Sequence, residues 1–370
     1  MMSANKVTVL GAGNAGLTAA YHFSLLGSDV CLFGSQGFDE QIDFIRQAGG
    51  IHAVEQVNGV EMSFTGFQKL EVTKDIQEAV AFSTVLIMPV PSFAQEVLFR
   101  DMLPHLTSEH LILLMPGNYG SLVLNRIKNE EGYQDLDITF VDAISIPWAT
   151  RIAGEAQVGI LGIKEMLPLA ALPASRTQQA IERLQPHFPI PLTPLENVIA
   201  AGLENINFGG HPLLTTLNMG LLENFNGNFN FYKDCCSPAV ARVAEDLDLE
   251  RLAVGQALGL SLKSELDAMN TLYAMNAESV YEINRTSETH GKLNSAPNGP
   301  QARYIAEDVP YLFVPCFELS QLSGVNTPII QAVLTITNAF NRTDYLKSGR
   351  TLEKMGLAEM SIDQIRQAIA

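Results

Sequence analysis

Apolar positions in the first half of the chain come in short runs separated by longer amphipathic stretches. Runs at 7–10, 30–33, 85–88, 111–115 and 138–141 are brief, and most end at Gly, Pro or polar turn residues. Strands buried on both faces of a parallel sheet read this way. Between the first two, residues 15–26 set Leu17, Ala20, Tyr21 and Leu25 near helical spacing, with Gly27 placed as a terminator. Alternating strand and helix predict a parallel α/β domain.

After about Pro194 the period changes. Apolar residues recur at three and four through 198–206, 249–266 and 329–340, which predicts a mainly helical second half. Thr327-Pro328 reads as an N-cap followed by proline at the first helical position, and Ser361 with Gln364 as a capping box. The Asn- and Gly-rich stretches 224–230 and 290–300 read as loops. At 370 residues the chain exceeds what one core usually holds, so we expect an α/β domain over 1–194 and an all-α domain over 195–370.

Composition changes this picture little. With 47% apolar and 17% charged residues the chain is globular rather than disordered. The formal charge is more telling: 23 Lys and Arg against 40 Asp and Glu give −17, a field that repels phosphate backbones and anionic lipid surfaces. Neither nucleic acid nor a membrane surface is expected as a partner. No apolar run approaches the ~20 residues of a membrane span. Glycines at 11, 13 and 16 interrupt the stretch that would otherwise resemble a leader, so a cytoplasmic location is expected. The four cysteines, 31, 235, 236 and 316, form neither a disulfide framework nor a metal-binding pair; adjacent Cys235 and Cys236 read as ordinary thiols, and no metal site is expected.

Gly11-Ala12-Gly13-Asn14-Ala15-Gly16 follows the first strand and opens the first helix. In that context GxGxxG is a dinucleotide fingerprint. Gly11 allows the tight turn, Gly13 lets backbone approach a pyrophosphate, Gly16 lets helix pack on strand, and the helix N-terminus offers amides to the anion. NAD binders usually end the second strand in an acid that reads the ribose. Here that strand ends Gly34-Ser35-Gln36, with Asp39 and Glu40 further on and Arg46 as a candidate phosphate partner, so NADP(H) is favoured over NAD(H). The turns after the strands at 85–88 and 111–115, with Pro89, Pro91 and Asn118, are expected to line the ribose and nicotinamide.

Hydride chemistry also needs a group that exchanges a proton near neutral pH. Of seven histidines, His211 stands out, because it follows Gly209-Gly210 at the end of a helical pattern. Spacing alone leaves it either catalytic or structural. Arg303 and Glu307, four apart, can form a helical ion pair; alternatively Arg303 holds a substrate carboxylate while Asp308 faces His211 and orients its ring.

Taken in order, these residues resemble the opine dehydrogenase family, the NAD/NADP octopine and nopaline dehydrogenases and their bacterial relatives. Besides the fingerprint, the resemblance includes Pro89 and Pro91, Pro116-Gly117, and Pro147-Trp148-Ala149-Thr150-Arg151, where the family more often has tyrosine after the proline. It continues through Asn207 with His211-Pro212, Asp248-Leu249-Glu250-Arg251, and Arg303-Tyr304 with Glu307-Asp308-Val309-Pro310. It closes with Gly324-Val325-Asn326-Thr327-Pro328 and Asp344-Tyr345 before Gly349-Arg350-Thr351. The resemblance implies a Rossmann domain followed by a helical domain. It also implies reductive condensation of an α-keto acid such as pyruvate with an amino acid through an imine, an oxidoreductase acting on CH–NH donors. His211 and Asp308 are then catalytic, and Arg303 and Asn207 bind substrate. The loop with 226–230, Phe229, Phe231 and Tyr232 departs from the family pattern and is the candidate for selecting the amino acid. A simple keto-acid reductase of ketopantoate type and a non-catalytic nucleotide-binding regulator are the alternatives. Trp148 is left as pocket wall or core, and a homodimer as an open arrangement.

Overall fold

The computed structural model describes residues 5–370 except Gln36, Asn58 and 292–295, so Gln36 of the expected strand end and part of the 290–300 stretch lie outside the described residues. Two compact units divide the chain, 1–198 with residue 370, and 199–369.

Among the described residues the first unit carries fourteen strands: β1 (Lys6–Leu10), β2 (Asp29–Phe33), β3 (Gly50–Ala53), β4 (Gln56–Val57), β5 (Val60–Glu61), β6 (Gly66–Lys69), β7 (Glu71–Thr73), β8 (Val85–Met88), β9 (Leu111–Leu114), β10 (Thr139–Ala143), β11 (Trp148–Gly154), β12 (Gln157–Ile163), β13 (Leu167–Leu172) and β14 (Leu192–Pro194). Eight of them form the main sheet in the order β14-β13-β10-β9-β8-β1-β2-β7. Strands β7, β2, β1, β8, β9 and β10 are parallel, with Val7 beside Val30 and Thr8 beside Leu86; β13 joins β10 antiparallel. The five apolar runs became β1, β2, β8, β9 and β10, all but sealed from solvent. Because β2 lies on one side of β1 and β8 on the other, strand order reverses at β1, the switch point where parallel sheets bind ligands.

Helices α1 (Asn14–Leu25), α2 (Asp39–Ala48), α3 (Ile76–Phe82), α4 (Ser92–Met102), α5 (Gly120–Glu130) and α6 (Thr177–Leu184) complete this unit. A second sheet, β11-β12-β3-β6, packs against α1. The sequence pattern did not announce it. Its strands are mostly partly exposed or interrupted by glycine: β6 buries no residue fully, β11 is half open, and glycines break the apolar run of β12, unlike the unbroken runs of β8 and β9. Sandwiched between two sheets, α1 buries every residue from Gly16 to Phe23. Trp148 belongs to this core: it is 2% exposed and stacks on His22 and Phe188.

The second unit is helical: α7 (Val198–Leu203), α8 (Asn207–Leu217), α9 (Met219–Asn224), α10 (Phe231–Cys235), α11 (Pro238–Ala257), α12 (Glu265–Leu272), α13 (Val280–Thr286), α14 (Glu288–Gly291), α15 (Arg303–Ala306), α16 (Val314–Ser323), α17 (Pro328–Asn341), α18 (Tyr345–Ser348) and α19 (Ile362–Ile369). The 20-residue α11 is its centre and packs against α8, α13, α16 and α17. The helix expected over 249–266 is instead two. α11 starts at the Ser237 cap and ends before Gly259, whose φ of 77° is left-handed, and Ser264 caps α12. Thr327 does not cap α17 with its side chain; Glu250 on α11 does so, its carboxylate accepting from Ile329 N at 2.7 Å and Ile330 N at 3.0 Å. The Ser361–Gln364 capping box forms as read. All four cysteines are free and buried. Among the described residues no helix is long and apolar enough to cross a membrane.

Candidate active site

In the first unit the fingerprint forms the turn between β1 and α1. Gly11 takes φ of 127°, and its amide donates to Phe33 O at 2.8 Å, tying the turn to β2. A Cβ on Gly16 would overlap the Gly11 carbonyl, so only glycine lets α1 close on the turn. A Cβ on Gly13 would meet nothing within 4 Å, and Gly13 caps α1 without any side chain satisfying the helix amides. Open space facing an uncapped helix N-terminus fits a pyrophosphate. Ala12 is buried beneath the turn; Gly13, Asn14 and Ala15 keep some exposure. The Asn14 side chain is already engaged, accepting from Ile152 N at 2.7 Å and so holding β11.

Ser35 is exposed just beyond β2. Arg46, the candidate phosphate partner, lies in the last turn of α2, exposed and paired with Asp43 at 2.9 Å. At the same carboxyl edge, Pro89 and Pro91 form the turn from β8 into α4. Asn118 follows β9 with φ of 52°, donates to Ser92 Oγ at 2.8 Å, and so links the two turns. The next β-strand joins through Gly117 N and Ala143 O at 2.9 Å.

In the helical unit, α8 presents His211, α10 presents Tyr232, and the segment after α15 presents Asp308. Asp308 Oδ2 lies 2.8 Å from His211 Nδ1, and Tyr232 Oη lies 2.9 Å from His211 Nε2. The Tyr304 ring stacks on the imidazole with centroids 3.6 Å apart and planes within 5°. Asp308 is a buried acid, 5% exposed at its side chain; burial pushes its carboxyl above the ordinary range while the His211 hydrogen bond pulls the other way. A carboxylate only accepts, so Nδ1 carries the proton and the neutral ring offers Nε2 as acceptor to the Tyr232 hydroxyl.

The helical ion pair of Arg303 forms: its Nε pairs with buried Glu307 at 2.6 Å, while the Arg303 side chain stays 66% exposed. Glu307 thereby fixes a fork able to grip a second carboxylate. Asn207 opens α8 one helical turn before His211 and therefore shares its face.

The surrounding motif residues are scaffold. Arg251 pairs with Asp248 at 2.6 Å and donates to Leu203 O and Lys263 O, and Asp248 accepts from Glu265 N. These bonds tie α11 to the end of α7 and the start of α12. The missing side chain of Gly209 makes room for the Glu265 carboxyl, not for a backbone; burial raises that carboxyl to about 8. Sequence reasoning gave Tyr304 no role and put Phe231 and Tyr232 in a loop. They stand on α10, behind its Asn230 cap. The one available signal was the Arg303-Tyr304 pairing.

Comparison with known proteins agrees with this geometry. Residues 194–341 match the model of the NAD/NADP octopine/nopaline dehydrogenase alpha-helical domain, and 6–118 that of the NAD-dependent glycerol-3-phosphate dehydrogenase N-terminus. Opine dehydrogenase of Arthrobacter sp. (strain 1C) is 30% identical over 370 residues, all of both chains. The chain belongs to the opine dehydrogenase family. It is therefore an NAD(P)-dependent oxidoreductase by class. Within the family it is also similar to vitopine synthase of Allorhizobium ampelinum, 27% identical over 95% of this chain and 96% of that one. The structure of octopine dehydrogenase with NADH and L-arginine shares the fold, with a TM-score of 0.77 at 19% identity over 97% of each chain.

Proposed function

We propose that this opine dehydrogenase family member joins an α-keto acid to the amino group of an amino acid, reducing the resulting imine with NAD(P)H. The observation that carries this reading is the Asp308–His211 pair, 2.8 Å apart, with Asp308 on the same short segment as an exposed Arg303. When bound, the nicotinamide cofactor supplies the hydride. The chain's own residues supply the rest. His211 exchanges the proton that condensation releases and reduction consumes; Asp308 holds its tautomer and faces the imidazolium that forms. Arg303 anchors a carboxylate, which an acidic chain of charge −17 must do locally, and Asn207 stands on the same helix face. In the Rossmann unit, the amides of Asn14, Ala15 and Gly16 receive the pyrophosphate, and the turns with Pro89, Pro91 and Asn118 border the ribose and nicotinamide.

The neutral residue Ser35 just beyond β2 supports NADP(H) over NAD(H). A KM for NADPH below that for NADH is the expected result; the reverse order removes the preference. The reaction itself is tested by its product. Mass spectrometry of a mixture of keto acid, amino acid and NADPH should show an N-(1-carboxyalkyl)amino acid, and a hydroxy acid in its place would move the chain to simple keto-acid reduction.

A further inference from the structure

Both ring nitrogens of His211 are occupied. Nδ1 meets Asp308 at 2.8 Å, Nε2 meets Tyr232 at 2.9 Å, and Tyr304 covers one ring face at 3.6 Å. Among the described residues, a proton can thus reach or leave the imidazole along one hydrogen-bonded path that is not closed by the buried acid, the Tyr232 hydroxyl. We propose that Tyr232 is a catalytic residue, the phenol that carries protons between substrate and His211. This rests on the reading of His211 as the proton-exchanging group and adds the atom that touches substrate.

The hydrogen-bond inventory supports a relay. With Asp308 accepting from Nδ1–H, the Tyr232 O–H donates to Nε2, and a hydroxyl that donates one hydrogen bond can also accept. The hydroxyl is also hydrogen-bonded to Tyr304, which fixes its orientation. Burial, reinforced by Tyr304, Tyr273 and Asp308, pushes the phenol well above its ordinary value. A standing phenolate base is therefore disfavoured, whereas a phenol that gains one proton as it loses another is never charged. Tyr232 also keeps part of its surface open.

The step balances as follows. The substrate ammonium gives a proton to Tyr232 Oη as the phenolic proton passes to His211 Nε2; one N–H and one O–H bond break, and one O–H and one N–H bond form. The amine now has its lone pair for attack on the keto carbon. Run in reverse, His211 returns its proton to Tyr232, which protonates the carbinolamine hydroxyl. That oxygen leaves as water and an iminium remains for hydride.

Tyr232→Phe removes only the hydroxyl and keeps the ring against Phe231, at 5.2 Å between centroids. We expect kcat to fall by at least ~10²-fold, the usual scale for a general acid–base group, with each KM within about threefold of wild type. A second readout needs no variant. Single-turnover rates of the wild type in H₂O–D₂O mixtures should curve with deuterium fraction, because two protons move together, and a linear dependence overturns the relay. Unchanged or raised kcat in Tyr232→Phe overturns it too, since the hydroxyl would then merely plug Nε2 and step aside. His211→Asn is measured alongside. If that variant is inactive while Tyr232→Phe turns over normally, only the relay fails; if both turn over normally, the reading of His211 fails with it.

Discussion

Replacing Asp308 by asparagine keeps the shape of the site and removes one charge. In the wild type the acid lies 2.8 Å from His211 Nδ1, in surroundings that leave its side chain 5% exposed. When His211 takes a proton, the charge centres of imidazolium and carboxylate are about 4 Å apart, and at an effective dielectric near 20 their attraction is about 4 kcal/mol. Losing it raises the barrier to any step that charges the ring by that amount, or about 10³-fold in kcat. The tautomer adds to the effect. The asparagine amide can turn its NH₂ toward Nδ1, moving the ring proton to Nε2, where it can no longer accept from Tyr232. Steady-state turnover with saturating keto acid and amino acid reads kcat, and cofactor fluorescence reads NAD(P)H affinity. We expect a loss of about 10²–10⁴-fold in kcat with cofactor affinity unchanged, because the fingerprint belongs to the other unit. A kcat within about threefold of wild type would refute the charge argument.

Other expectations separate binding from folding. Gly13→Ala adds a methyl to open space, so thermal stability should hold while NAD(P)H affinity falls; Gly16→Ala puts that methyl into the Gly11 carbonyl and should lower the melting temperature as well. Equal melting of the two variants contradicts this. Glu250→Gln removes one of two acceptors at the start of α17 and should cost about 1–2 kcal/mol in denaturant titration, as a lost cap does. No measurable change would mean water replaces it. His22 is buried, its ring nitrogens lack partners, and burial lowers its pKa to about 4. Its folded-state value lies below the unfolded one, so it costs nothing at neutral pH and destabilises the fold as pH falls from about 6.5 toward 4. At about pH 4.5 the cost is roughly 2.5 kcal/mol, and His22→Phe should flatten the acid limb of stability by that amount. An identical limb in the variant would exclude His22 as its source.

The sequence carried what is local or repeated. The five buried parallel strands announce themselves as unbroken apolar runs, and the fingerprint's glycines are needed for reasons visible in the turn itself: a φ of 127° at Gly11 and a clash at Gly16. The sheet β11-β12-β3-β6 escaped because its strands are partly exposed or broken by glycine and need a tertiary partner, here α1, to make sense of their buried residues. Helix ends failed where a distant side chain intervened, as Glu250 does for α17. Of the site, His211, Asp308 and Arg303 could be named from their motifs, yet the pairing spans 97 positions and follows from no periodicity. Tyr232 and Tyr304 were harder still. An aromatic residue that covers a histidine looks, in one dimension, like any core aromatic.

The reductive condensation is tested most directly by the amine dependence of cofactor oxidation. NADPH and pyruvate, 2-oxoglutarate or glyoxylate would be supplied first without, then with, each of a panel of amino acids, and the loss of NADPH absorbance followed. The account predicts negligible oxidation with keto acid alone and saturable oxidation once the accepted amino acid is added, one NADPH consumed per secondary amine formed. Oxidation at full rate with keto acid alone, indifferent to every amino acid, would contradict it.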